Sequence, residues 1–316
     1  MILGRPSSIP YEMFDLQRSA DEARRASKLR HIYHSGQEFA WDGRDVLPEL
    51  LQKHGGIHVS PRIRDALGRV YSVIMWGELA AWKISVQLAD DIVPLEPKMA
   101  ATSQAHDEAR HFYVLVDYLR ALGVQPTRMT RGSQGLLDHV LYEKNLTHKL
   151  LGMQLMVETI ALTIFQATRE ANPDPVLTEL LPYYEKDEAR HVGLGIQHLP
   201  DRLREVGPAG LAKMTLYQLE LIYWALASLS DLEKDLETLG ISAGQMVLIG
   251  TKKQQHAADE MWKILGKTDR PFERVLQRAV HTLIEAWFPA QEKRKSVLTR
   301  LSAAREVWKA GGYATA

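Results

Sequence analysis

Apolar residues recur at steps of three and four over long runs of the chain, while period-two alternation is scarce, so the pattern predicts helices almost throughout. The first is expected over 14–33 and, after the loop GQEFAWDG, a short one near 45–53. Ser60 followed by Pro61 reads as an N-cap with proline in the first turn, opening a long helix to about residue 91, beyond which Pro94 and Pro97 punctuate the chain. The next helix stops near Leu122, at Gly123 and Pro126, and periodicity then carries LLDHVLYEKNLTHKLLGMQLMVETIALTIFQATREA on to Asn172. The NPDP turn at 172–175 interrupts the helical pattern. A further helix carries Tyr184 to about Leu203, and Gly207-Pro208 precedes three or four more within 209–310. An all-α fold is predicted. No Pro-, Ser- or Gly-rich linker divides the sequence, so 1–316 reads as a single all-α domain, with a core over 60–204 and a C-terminal helical extension over 209–316 packing on that core.

Charge and composition narrow the chemistry. The 39 Lys+Arg balance 39 Asp+Glu, which leaves no electrostatic attraction for nucleic acid or an anionic membrane. Cysteine is absent, so disulfides, thiolate zinc sites, cysteine nucleophiles and iron-sulfur centres are excluded, and any redox metal must be held by nitrogen and oxygen. The first 25 residues carry no apolar segment of signal-peptide length, and apolar stretches elsewhere are broken by charge or Gly within about 20 residues. A cytoplasmic protein that neither spans nor binds a membrane is expected.

One internal repeat carries chemistry. The pentapeptide DEARH occurs at Asp107–His111 and again at Asp187–His191, 80 residues later, both on predicted helices. Thirty residues before Glu108 stands Glu78, inside VIMWGELAAW, and 30 before Glu188 stands Glu158, inside LMVETIALTIF. An ionised, unpaired carboxylate on a core-facing helix costs several kcal/mol, so each of these glutamates must be exposed, paired or metal-bound. The midpoints of the two spacings fall at residue 93, beside Pro94, and at Pro173. In two antiparallel helical hairpins the glutamates would therefore lie about 15 residues, or roughly 22 Å, from each turn and at the same height. Within each E-x-x-H the side chains stand about 60° apart on one face and can reach one ion. Taken singly, each DEARH is more readily a solvated, salt-bridged face than a ligand pair. Together the two hairpins supply four carboxylates and two imidazoles, the ligand recipe of a dimetal site.

With these residues the chain resembles the ferritin-like diiron carboxylate superfamily over about 70–200. The resemblance implies a ferritin-like four-helix bundle with extra N- and C-terminal helices. It implies Glu78 and His111 on one iron, Glu158 and His191 on the other, and Glu108 and Glu188 between them. Asp107 and Asp187 would each accept the ring N–H of the histidine on the opposite motif helix, fixing its tautomer. Individual subfamilies fit less well. Leu115 stands where a ribonucleotide reductase small subunit keeps its radical tyrosine, and Ala80 and Met153 stand where the related ligand-binding oxidases cross-link Val to Tyr. Tyr184 replaces the third histidine of arylamine N-oxygenases, and rubrerythrins need cysteines that are absent.

One turn beyond the ligands lie Trp82, Leu115, Leu162 and Gly195, which predict an apolar substrate chamber with a vacancy at the glycine. Among Gln104, Thr159, Thr163 and Tyr184, Tyr184 is the first candidate to move a proton; His106, His148 and His198 lie off the ligand register and read as surface or structural. The expected function is an oxygen-activating diiron monooxygenase or oxidase that hydroxylates or N-oxygenates a small or hydrophobic organic substrate. Its partners would be O2, that substrate and an external reductase or ferredoxin. The alternatives are a non-catalytic iron-handling or ferroxidase protein and a mixed manganese and iron oxidase using the same ligands. The apolar stripes of 209–310 would cover the bundle or face a second copy in a homodimer.

Overall fold

A computed structural model describes residues 20–266, 270, 273–289 and 296–312; the predicted segment 14–19 lies outside them. Among the described residues there are helices and no strand. They are α1 (Ala20–Glu38), α2 (Gly43–His54), α3 (Pro61–Asp91), α4 (Leu95–Ala121), α5 (Arg131–Leu141) and α6 (Leu146–Leu150). A π-helical segment (Leu151–Val157) joins α6 to α7 (Glu158–Ala171), and α8 (Pro175–Leu203), α9 (Pro208–Thr238), α10 (Ala243–Leu265), α11 (Glu273–Trp287) and α12 (Val297–Lys309) follow.

Two hairpins make the central bundle. Ser60 accepts a hydrogen bond from the Ile63 amide and Pro61 occupies the first turn, so α3 starts where the sequence predicts. At its far end the Lys98 ammonium donates to the carbonyls of Ala89 and Asp90, which lack helical partners, and α4 folds back from Pro94. The second hairpin turns at Asn172, whose φ of 47° places it in the left-handed region that ends α7. Asp174 then caps α8, accepting from the amides of Val176 (3.3 Å) and Leu177 (3.1 Å). The same buried carboxylate accepts the Tyr118 hydroxyl of α4 at 3.0 Å, tying one hairpin to the other.

α3 packs on α4, α7 on α8, and α4 crosses to α8; α1 and α2 lie along α4 and α8. α9 covers α5 and α3, α10 covers α8 and α7, and α11 pairs with α12. One apolar core runs from Leu29 in α1 to Phe288 past α11.

Two departures from the sequence pattern matter. The long helical run does not continue from α5: Glu143 accepts from the amides of Lys144 (2.6 Å) and Asn145 (2.7 Å), and Asn145 caps a new helix through the His148 amide. From Leu146 to Ala171 the chain is then helical, with the length and apolarity of a membrane-crossing segment (mean hydropathy 1.5), but 67% of that apolar window is buried inside the protein. Its apolarity belongs to a core helix packed on several sides.

Candidate metal centre

The hairpins bring the six predicted side chains together. Glu78 comes from α3, Glu108 and His111 from α4, Glu158 from the first residue of α7, and Glu188 and His191 from α8, and all six are buried. They form two groups, Glu78–Glu108–His111–Glu188 and Glu108–Glu158–Glu188–His191, in each of which one ligand atom per residue lies within 4.8 Å of the others. Glu108 and Glu188 belong to both. Each imidazole turns Nδ1 toward the carboxylates: His111 lies 3.2 Å from Glu188 and 3.5 Å from Glu78, and His191 lies 2.9 Å from Glu188 and 3.1 Å from Glu108.

The opposite ring nitrogens are held crosswise. His111 Nε2 donates to Asp187 at 3.0 Å and His191 Nε2 to Asp107 at 3.3 Å. Each aspartate also receives the arginine three residues on in its own helix, Arg110 on Asp107 and Arg190 on Asp187, both at 2.5 Å. Arg110 further reaches Asp187 (2.8 Å) and Arg190 reaches Asp107 (3.0 Å), closing a lattice of two acids, two guanidiniums and two imidazoles. The aspartates thus serve the histidines and pair with the arginines at once. Trp41, in the loop before α2, donates its indole N–H to Asp187 at 2.8 Å, and the Arg110 guanidinium lies 4.9 Å from its ring.

Burial and charge split the protonation states. Burial drives the carboxyls of Glu78 and Glu158 well above the ordinary 4.5. Burial also opposes ionisation of Glu108 and Glu188, but the neighbouring imidazoles prevail and hold both below that value. His111 and His191 are raised well above 6.5 against their own desolvation, His111 by Asp187 and the surrounding glutamates and His191 by Glu108, Glu188 and Asp107. In the metal-free cluster the shifts thus favour ionised Glu108 and Glu188, protonated Glu78 and Glu158, and charged imidazoles.

This donor set fits two divalent cations. Four ionised glutamates and two neutral imidazoles neutralise two dications, and oxygen-rich ligands with imidazole suit iron or manganese. Three buried atoms in the first group, Glu108 Oε2, Glu188 Oε1 and His111 Nδ1, make no hydrogen bond and face one another, the arrangement expected where an ion is to be shared.

The second group differs through two amides, one of them Gln104, already a candidate from the sequence, and the other Gln154, which the sequence pattern did not reveal. The Gln104 amide donates to Glu158 and, at 3.3 Å, to Glu108, and its carbonyl accepts from Gln154 at 2.7 Å. Glu108, held ionised, accepts only, so the Gln104 amide that bonds it must present its N–H₂ and its carbonyl must face Gln154. Gln104 stands four residues before Glu108 on the same helix face, a spacing readable in the sequence; Gln154 reaches the site only through the π segment.

Comparison with known proteins agrees with the architecture. No family model and no curated sequence matches the chain. Among solved structures, a Synechococcus protein with aldehyde deformylating oxidase activity superposes with a TM-score of 0.57 at 22% identity, covering 64% of this chain and 92% of that one. A variant of an R2-like ligand-binding oxidase with an anaerobically reconstituted Mn/Fe cofactor gives 0.56 at 15%, covering 73% and 92%. Another variant of that oxidase, reconstituted aerobically with Mn/Fe, gives 0.54 at 14%, covering 73% and 93%. The fold is ferritin-like.

Within the ferritin-like bundle the predicted chamber is corrected. Trp82 is 38% exposed on the outer face of α3, Leu115 is plain core, and Leu162 is half-buried. Gly195 is no vacancy: a Cβ there would lie 2.5 Å from Gln154 Cβ, so the glycine lets α8 approach the π segment. None of the four lines the apolar cavity of about 110 Å³, which lies between α7 and the helices α9, α10 and α11. Ile160, Thr163 and Ile164 on its wall stand about 140–240° around α7 from Glu158, so the cavity is behind the ligand helix.

Tyr184 lies against one of the histidines. Its hydroxyl donates to the His111 main-chain carbonyl at 3.0 Å and its ring stacks on His111 with centroids 4.3 Å apart. Burial holds the phenol well above 10 and its proton is engaged by that carbonyl, so in this geometry the residue supports the histidine. Thr163 is likewise spent, donating to the Thr159 carbonyl at 2.7 Å. Of the off-register histidines, His106 is exposed, His148 stacks on Tyr217, and burial lowers the imidazole of His198 to about 4.

Proposed function

We propose that the chain is an oxygen-activating oxidoreductase whose dimetal carboxylate centre oxidises an organic substrate. The observation that carries this reading is the convergence of four buried glutamates and two histidines whose outer nitrogens are held by crossed aspartates. The neighbours in fold, one with oxidase activity and one with a reconstituted Mn/Fe cofactor, support it. An iron pair, or manganese with iron, would be held by Glu78 and His111 on one side, by Glu158 and His191 on the other, and by Glu108 and Glu188 between. When bound, such a pair supplies the electrons that reduce O2 and the oxidising power turned on the substrate.

The chain's own groups prepare that chemistry. Asp107 and Asp187 keep Nε2–H pinned, so the proton each histidine would give up to an incoming ion is the one on Nδ1, leaving that lone pair toward the cluster. Gln104 steadies Glu158 by donating to it, while among the described residues no amide donates to Glu78, which faces His111. The enclosing core excludes bulk water from the reactive centre. With no cysteine and no nucleotide-binding glycine fingerprint in the sequence, electrons would come from a separate reductase or ferredoxin. Hydroxylation and N-oxygenation are the outcomes this reading favours.

Anaerobic loading of the full chain with Fe(II), followed by a pulse of O2, tests it. The wild-type protein should give an optical transient that decays to an oxidised product, and Glu108→Ala and His191→Ala should give none. A wild-type transient undiminished in both variants would refute the assignment.

A further inference from the structure

The cavity behind α7 has no part in the metal cluster, yet it is built as a binding site. Its walls are Met156, Ile160 and Ile164 from the ligand helix, Leu226 and Leu229 from α9, and Val247 from α10, among others. The polar groups that line it are nearly all committed elsewhere. Thr163 Oγ1 donates to the Thr159 carbonyl (2.7 Å), Thr251 Oγ1 to the Val247 carbonyl (2.8 Å), and Ser228 Oγ lies 2.6 Å from Ser133 Oγ. Only the Gln254 carboxamide remains without a hydrogen bond among the described residues, and no charged side chain lines the space. The space, about 110 Å³ and partly open to solvent, offers so few free hydrogen-bonding groups that it holds water weakly. Enclosed apolar cavities of ~150 Å³ take up a single aromatic ring, which sets the size of occupant this one admits.

We propose that this cavity binds a small uncharged apolar molecule, a single ring or a short hydrocarbon chain, with room for one hydrogen-bonding group at Gln254. The site stands on its own walls and does not depend on the metal reading. Its position gives it a line to the cluster nonetheless. Met156 and Ile160, two residues before and two after Glu158, both touch the cavity, so an occupant bears on the stretch that aims this glutamate. Occupancy and metal binding should therefore influence each other reciprocally.

Fluorobenzene, followed by fluorine NMR and by thermal unfolding, is the probe, and para-fluorobenzoate is its charged counterpart. The full chain should bind fluorobenzene saturably, with an unfolding temperature that climbs with ligand concentration, and should reject the benzoate. Gly250→Leu is the deciding variant. A Cβ at Gly250 meets only Thr163 Oγ1 at 3.7 Å, an ordinary contact, so a side chain can be started there on the cavity wall, and the helix interior gains from losing a glycine. This variant should fold, unfold at no lower temperature than the wild type, and lose fluorobenzene binding; Ala225→Leu, from the α9 wall, should do the same. Equal binding in wild type and both filled variants, or none to the wild type, would overturn the site. Titration with Mn(II) should shift by about fivefold between empty and fluorobenzene-saturated protein; identical titrations would overturn the link to Glu158.

Discussion

Asp187 accepts from four residues at once: Trp41, Arg110, Arg190 and His111. So many donors hold its carboxyl at about 2 although burial alone would raise it, and an acid that stays ionised is what fixes the histidine tautomer. Its twin Asp107 has both arginines and His191 but no indole, so the lattice is nearly two-fold and Trp41 is where the symmetry breaks. Asp187→Asn keeps the size and loses the charge. It should weaken metal binding by about 10–100-fold, the usual cost of losing an outer partner, while the matching Asp107→Asn perturbs the other histidine. Competition with a metal-sensitive dye measures the loss; unchanged affinity would show that the aspartate does not orient His111. The sequence disclosed this residue pair through the repeat, but not Trp41, because nothing in the loop GQEFAWDG marks an indole that docks 146 residues away.

The π segment, Leu151–Val157, decides how the second hairpin is built. A plain α-helix would leave each backbone amide in register; the wider turn re-aims the residues before Glu158 and sets Gln154 against Gly195. Hydrophobic periodicity cannot announce such a segment, since seven successive residues that are all apolar or amide-bearing read the same in either winding. The hairpins themselves were legible, because Pro94 and the NPDP turn fell where the chain reverses and the 30-residue spacings were equal. The chamber was not, because stepping one turn along an α-helix from each ligand assumes that every helix has an open inner face, and here Gln154 fills the one at Gly195. Gly195→Ala should destabilise the protein by about 1–3 kcal/mol through overpacking, read by chemical denaturation. A variant as stable as the wild type would mean that the π segment yields easily and that the glycine is not required for the close approach.

Over the whole molecule, the charge of the centre links metal, pH and stability. Two carboxylic acids and two imidazoliums give up their protons when two divalent ions enter, so uptake should release close to four protons per pair of ions and tighten as pH rises. For the metal-free protein the signs run the other way. Glu78 and Glu158 are raised above 4.5 and His111 and His191 above 6.5, so their contributions to stability are whole below those values and are lost as pH climbs through the raised ones. Asp187, lowered to about 2, adds stability above the ordinary 3.8 and withdraws it only in strong acid. Metal-free protein should therefore melt at lower temperature as pH is raised from about 6 to 9, while the gain on adding Mn(II) grows over the same range. Calorimetric melting with and without the ion, together with pH-stat titration, reads both trends; a metal-free protein that becomes steadily more stable across that range would contradict the assignment of protons.

The exchange of four protons for two dications has a bearing on how the protein matures. A centre whose acids and imidazoles hold protons before any ion arrives would set less like charge against the closing helices, so a newly made chain would not need iron to reach its final shape. Hydrogen ions hold the seats in the interim, and iron takes them later from a finished host.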